Sequence, residues 1–518
     1  KLPNPSWFSG YLGVKFDLLG GLIKGNMRLK ISLGEECKIE IPGGNPLGVK
    51  VISDITPAEK STEIDVFTAP QVAFNMPVGK EFEIEEDQGV KKYKLKLAEF
   101  SVLENNKALD GKIIWNNNND AASFFSHEIL PPNVSLKIKA RVTFEEYKNG
   151  YWVAVNNGGQ TAEESMETTF TTGTAPDVIL THNIEYCYPV VEQQYFYPKE
   201  SKNAYIQLKR GQSYLFTSDM QHKIHITQQN GTVHVQSFTY NSGKNRIEYT
   251  IPDITTENKY EFNLLSFAKA EVKGQDMQRR TSVVSDNDNE VSVRDAKAGQ
   301  AKQDEAGKSL LAYNFNTSKY NTFADKFKAI QKTEAFTEKI ASDVINLQYK
   351  VTVEEPFDVV ELVGTAYSAD KPLINVIATL EDDYYKNYID PLIYIDYPPS
   401  NFKITTRDVN VYEIPPIKAI PVNTAYLTQI ENGNNNDLAN THFPYIYNLP
   451  LIYKDDYIDL REQIINKYPD NPPTELLRFY QGSFPFIIYG YYEIVVQYIL
   501  PGETQGTKCP FEYYNFIK

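Results

Sequence analysis

Three of the six histidines in this chain, His222, His225 and His234, fall within thirteen positions of one another. Imidazole is the commonest neutral ligand of zinc and related metals. Pairing across the Asn230-Gly231 turn sets Thr227 opposite His234, which predicts His225 and His234 lying diagonally on one face of a hairpin. His222 stands three residues from His225, so a regular strand sends it to the other face. A three-ligand zinc site would need a bulge there, and without one these are solvent-facing strand histidines. The reading is therefore of no metal and no cofactor, with His225 and His234 as the candidates that a metal would use. A second stretch, SDNDNEVSV from Ser285 to Val293, alternates carboxylate and amide oxygens suited to a hard cation. It lacks the glycine and the distal glutamate of an EF-hand loop and reads as a solvated acidic loop. A third, Glu381, Asp382 and Asp383 followed by Tyr384 and Tyr385, places carboxylates beside rings that could stack on a sugar. Glycoside hydrolysis needs two carboxylates at a set separation across a cleft, which adjacent residues do not supply.

Tyrosine is the other chemistry-bearing residue, with 36 in the chain. Tyr384, Tyr385, Tyr388, Tyr394 and Tyr397 form one cluster, and Tyr489, Tyr491, Tyr492 and Tyr498 another. Each ring either packs into a β core with its hydroxyl turned to a polar partner, or joins a flat surface for a partner chain or a polysaccharide. On the second reading Tyr384, Tyr385, Tyr388, Tyr394 and Tyr397 are the binding residues. No G-x-S-x-G, P-loop, G-x-G-x-x-G or H-E-x-x-H motif is present, which favours a non-enzymatic role. A hydrolase with a carboxylate site in the C-terminal region stands as an alternative.

The elements that must position these residues are mostly strands, because an aromatic share of 13% favours β structure. A length of 518 residues holds about three to five domains. The net charge of −15 and the absence of any basic, aromatic-interleaved block exclude a nucleic-acid partner. Cys37, Cys187 and Cys509 are odd in number and far apart, so at most one disulfide is possible. The longest apolar stretch, FPFIIYGYYEIVVQYIL, is broken by Gly490, Glu493 and Gln497 and predicts a strand pair in place of a membrane span. The chain begins KLPNPSWFSG, without an initiator Met, and is expected to be a fragment or mature piece of something longer.

In chain order, residues 1–50 predict two or three strands that lack a sheet of their own, with MRLKISL alternating cleanly. Such strands either pack on the next domain or belong to a truncated or exchanged one. Residues 51–177 predict one antiparallel sandwich, with SLKIKARVTFEEY as its longest alternating strand. Residues 178–268 predict a second sandwich, and 269–308, without aromatics, an exposed linker or long loop. Residues 309–518 read as a mixed, tyrosine-rich α+β domain. In it KYNTFADKFKAIQKT predicts a short helix capped by Asn321 or Thr322, and DDYIDLREQIINKY a second helix ending before PDNPP. IDPLIYIDYP reads as a strand. The fold class expected is mainly β: tandem antiparallel sandwich modules followed by an α+β domain.

The phrases ITPAEKSTEI, AFNMPV, LPPNVSLKIKARV and TFTTGTAPD resemble the successive strand motifs of bacterial Ig-like domains of the SbsA type, over about a quarter of the chain. The pattern departs from that family at EFEIEEDQGVKK and at the run Asn116 to Asn119, so its loop functions do not carry over. YIQLKRGQSYLF and LLAYNFNTSKYNTFADKF resemble segments of large exported proteins of bacteria that use type 9 secretion. These resemblances imply Ig-like modules acting as spacers in an extracellular or cell-surface structural or adhesive protein. Its expected partners are other copies of itself, as a ring or filament, or another surface protein, with glycans as the alternative.

Overall fold

The computed structural model describes residues 8–18, 23–33, 47–48, 50–86, 89–157, 159–268, 281–286, 289–294, 307–329, 331–340 and 344–352. It also describes most of 355–421 and 442–515. The chain is mainly β, 45% strand against 17% helix. It divides into two compact units, Lys1–Asp177 with Lys209–Leu215, and Val178–Leu208 with Phe216–Lys518.

The first unit is built on the long strand Ser135–Lys148, which pairs antiparallel with Gly89–Glu104 on one side and Glu163–Thr172 on the other. Its sequence alternates, so Leu136, Ile138, Ala140, Val142 and Phe144 all point inward and are fully or almost fully buried. Burying each larger aliphatic or aromatic side chain among them contributes roughly 1.5–3 kcal/mol. The outward face carries opposite charges across the ladder, with Lys137 and Lys139 on Glu167 and Arg141 on Glu99 and Glu163. A four-stranded sheet, ordered Gly111–Trp115, Ala121–Ser126, Gln71–Phe74 and Ile52–Thr56, supplies Ile52, Val72, Phe74 and Phe124 to the same core. Strands Phe8–Leu18 and Ile23–Leu33 pair in register over all eleven positions and join the large sheet where Asn26 meets Glu85. The opening strands thus extend the sheet of the module that follows them.

The second unit holds two four-stranded sheets. One runs Ile184–Tyr188, Asn203–Leu208, Arg246–Thr250 and Phe238–Asn241; the other Val233–Gln236, Met220–Gln228, Lys259–Ala268 and Lys308–Asn316. Rings tie them together: Tyr249 lies 5.7 Å from Phe262, which stacks on Tyr313 at 4.6 Å. Since Lys308–Asn316 pairs with Lys259–Ala268, residues 269–308 connect neighbouring strands of one sheet and do not divide domains. They include the strand pair Thr281–Asp286 and Asn289–Arg294.

Beyond residue 317, Ile374–Leu380 and Gly490–Tyr498 pair antiparallel and share a core with the helix Leu449–Lys467. That helix starts six residues before the expected DDYIDL, which moves Asp455 and Asp456 from the N-terminus to the second turn. Its end before Tyr468 and the following proline agrees with the expectation. The segment IDPLIYIDYP is not a strand: a π-helical turn, Tyr385–Ile389, runs into the α-helix Asp390–Ile393 with a proline in its first turn, and residues 394–398 continue as turn and bend. Tyr385, Ile389 and Ile393, four apart, are all buried, so a helical period governs a stretch that looks apolar throughout. Among the described residues no helix is long and apolar enough to cross a membrane.

Candidate functional site

The helical turn at 385–393 breaks up the expected tyrosine platform. Tyr385 is fully buried and Tyr394 nearly so, its hydroxyl donating to Asp456 Oδ2 at 2.7 Å. Tyr397 is half-buried and accepts a hydrogen bond from the Ile404 amide at 2.9 Å. Only Tyr388, 67% exposed, and the partly buried Tyr384 stacked on it at 5.7 Å remain as a surface pair. In the second cluster Tyr498 is core and Tyr491 donates to Glu512. Tyr489 lies outside the described residues.

The histidine hairpin is one residue out of the expected register. Gln228 and Thr232 close a five-residue loop, so Thr227 pairs with Val233, Ile226 with His234 and His225 with Val235. With a side-chain period of two, His225 and His234 fall on opposite faces. His222 packs 5.5 Å from the ring of Phe216, and burial lowers the pKa of His225. No group of three His, Cys, Asp or Glu side chains placed to hold a metal occurs among the described residues. Within Ser285–Val293, residues 285–286 and 289–293 lie on the paired strands Thr281–Asp286 and Asn289–Arg294, and residues 287–288 and the side chains of the whole stretch lie outside the described residues. Of the acidic triplet, Glu381 pairs with Lys386, Asp383 is exposed at a helix start and Asp382 lies outside the described residues. Cys187 and Cys509 are both buried as thiols, and Cys37 lies outside the described residues.

The strongest concentration of buried charge is elsewhere in the second unit. Thr322 caps the helix Phe323–Ala329, its hydroxyl exchanging hydrogen bonds with Asp325. The cap directs Phe323, Lys326 and Phe327 into the interior, and the Lys326 side chain is fully buried. Its Nζ lies 2.9 Å from Glu355 Oε1 and 3.8 Å from Glu361 Oε2. The rings of Tyr195, Phe357 and Tyr197 surround the same nitrogen, with centroids 4.4, 4.9 and 5.9 Å away.

Each carboxylate has further donors. Glu355 Oε1 accepts from Ser318 Oγ and its Oε2 from the Lys319 amide, both at 2.7 Å. Glu361 Oε1 accepts from the Tyr197 hydroxyl at 2.7 Å and its Oε2 from the Asp358 amide at 2.8 Å. Asp358 in turn accepts from the Gln194 amide at 2.7 Å. Burial pushes the pKa of Glu361 up to about 7, against the attraction of Lys326, and Asp358 adds to the rise. A carboxyl held near neutrality, beside an amine and a second carboxylate, is equipped to move protons.

A pocket of about 340 Å3 adjoins this cluster, with Glu355 and Tyr195 in its wall. Glu361 is fully buried, so the two glutamates do not flank a cleft that a glycoside could enter. A wider groove of about 670 Å3 has Arg246 stacked 4.0 Å over Tyr205, with Glu248 and Glu503 in its lining.

None of these cluster residues was singled out by motif or composition. The sequence signal was Lys326 between Phe323 and Phe327 on one helix face, and Glu355, Asp358 and Glu361 spaced by three. No protein-family model matches the chain, and no curated protein matches it.

Proposed function

We propose that this chain is a non-enzymatic structural or adhesive protein of the cell surface or extracellular space, whose SbsA-type Ig-like module and second sandwich act as spacers and whose copies associate through open strand edges. The carrying observation is the edge strand Gly111–Trp115. It pairs only with Ala121–Ser126 among the described residues, and exposes Ile113 (39%) and Ile114 (43%) on its two faces. Ile113 sits opposite the buried Phe124, so a strand added at this edge would extend the core face as well as the ladder. The second unit has its own open edge, Val233–Gln236, with Val233 and Val235 exposed. Two edges give each copy two attachment points, and pairing like edge with like edge builds an extended chain of subunits. Sedimentation velocity of the full chain across micromolar concentrations tests this. Growing species that Ile113→Lys with Ile114→Lys abolishes are expected, and a monomer throughout would overturn the reading.

A second reading, recognition of a glycan surface, is favoured by the stacked and exposed Tyr384–Tyr388 pair. Binding on a glycan array that Tyr388→Ala removes is its expected signature, and an array without signal counts against it.

A further inference from the structure

A lysine and a glutamate in hydrogen-bond contact inside an aromatic shell have two chemical fates, an ion pair or an amide. Three features of the Lys326 cluster favour the amide. First, the reacting groups are in contact: Nζ lies 2.9 Å from Oε1 of the Glu355 carboxyl whose carbon it would attack, the two on the helix Phe323–Ala329 and on the segment preceding the helix Val359–Leu362. Effective molarities for such fixed pairs reach about 10⁵–10⁸ M, enough to offset the competition of water with an amine. Second, the carboxyl to be attacked is already polarised, since the Lys319 amide and the Ser318 hydroxyl donate to its two oxygens at 2.7 Å. The same donors would hold the oxyanion of a tetrahedral intermediate. Third, Glu361 Oε2 stands 3.8 Å from the nitrogen, fixed by Tyr197 and the Asp358 amide.

We propose that Lys326 and Glu355 condense into an intramolecular isopeptide bond, with Glu361 as the proton relay. Glu361 takes one proton from the ammonium, and the neutral amine adds to the Glu355 carboxyl carbon. The relay passes that proton to the departing oxygen, then carries a second one to it from the nitrogen that has added, so that the oxygen leaves as water. One C–N bond forms, one C–O bond breaks and one water leaves, so ammonium and carboxylate become amide and water with no oxidant or reductant. The rise of the Glu361 pKa to about 7 fits a group that both accepts and gives a proton near neutral pH. The rings of Tyr195, Tyr197 and Phe357 keep bulk water from the new amide, and the pocket beside Glu355 receives the water released. The bond would staple the base of the strand pair Gln331–Ile340 and Val344–Thr352, which lies between the two residues.

Intact-mass measurement of the denatured full chain, followed by peptide mapping, tests the proposal. The expected chain is lighter than its sequence by one water and yields a branched peptide joining residues 326 and 355. Lys326→Arg and Glu361→Gln restore the full mass, whereas Glu355→Gln loses one ammonia in place of water. A wild-type chain at its full sequence mass, or a water loss mapped to another site, overturns the proposal. The wild-type mass decides it even where a variant fails to fold.

Discussion

At the scale of single residues, the second unit depends on charges removed from water. Asp456 is almost fully buried and binds Arg407 through Nε at 3.1 Å and Nη2 at 2.8 Å, while also accepting from Tyr394. Removing one partner leaves the other buried and uncompensated, a cost of about 3–5 kcal/mol. Asp456→Ala is therefore expected to lower unfolding stability by that amount, measured by urea titration. Glu361 makes a pH prediction. Its pKa is raised from an ordinary 4.5 to about 7, so between these values the folded state binds more protons than the unfolded state. Stability from this group is full below about pH 4.5 and falls as pH rises through 7, by roughly 3 kcal/mol. Urea titrations at pH 5 and pH 8 are expected to show that loss in the wild-type chain, and Glu361→Gln to remove it. An equal slope in both proteins would contradict the assignment. Neither residue stood out in the sequence, because burial of a charge depends on distant partners: Arg407 and Tyr394 lie 49 and 62 positions from Asp456, and Lys326 and Tyr197 lie 35 and 164 from Glu361.

At the scale of elements, local signals were legible wherever they were self-contained. Thr322 followed by Asp325 is a capping pattern, and the helix Phe323–Ala329 starts where it should. Thr322→Ala is expected to cost about 1 kcal/mol, read from the thermal or urea midpoint. Gly506 shows a tighter constraint: a Cβ there would lie 1.9 Å from the Tyr498 carbonyl oxygen and 2.8 Å from the Ile499 Cα, both backbone atoms. Gly506→Ala must displace the chain joining Gly490–Tyr498 to Thr507–Asn515, and a loss of roughly 1–3 kcal/mol is expected in the same measurement. Less legible was IDPLIYIDYP, where Tyr, Ile and Leu suit strand and helix alike. The hairpin at Asn230-Gly231 was recognisable as a turn, but its five-residue loop slipped the register by one and separated His225 from His234.

At the scale of the whole molecule, the net charge of −15 opposes the association of copies at long range. Screening shortens that repulsion to about 10 Å at 0.1 M ionic strength, while contact between apolar edges such as Ile113 and Ile114 is less affected. Association is therefore expected to tighten with added salt in sedimentation velocity. Weakening with salt would point instead to ion pairs between subunits.

By itself the sequence determined the mainly β class, the alternation of Ser135–Lys148 and a short helix starting at Asn321 or Thr322. Each follows from residue type, or from contacts between residues close in the chain. Only the tertiary structure decided that Tyr385 and Tyr394 are core, that residues 269–308 connect two strands of one sheet, and that Lys326 meets Glu355 and Glu361 among aromatic rings. The reason is physical: strand pairing and burial are set by contacts between distant residues, and a lysine carries the same charge in water as it does in a core. The protonation and bonding of that lysine are properties of its surroundings, which only the folded chain assembles.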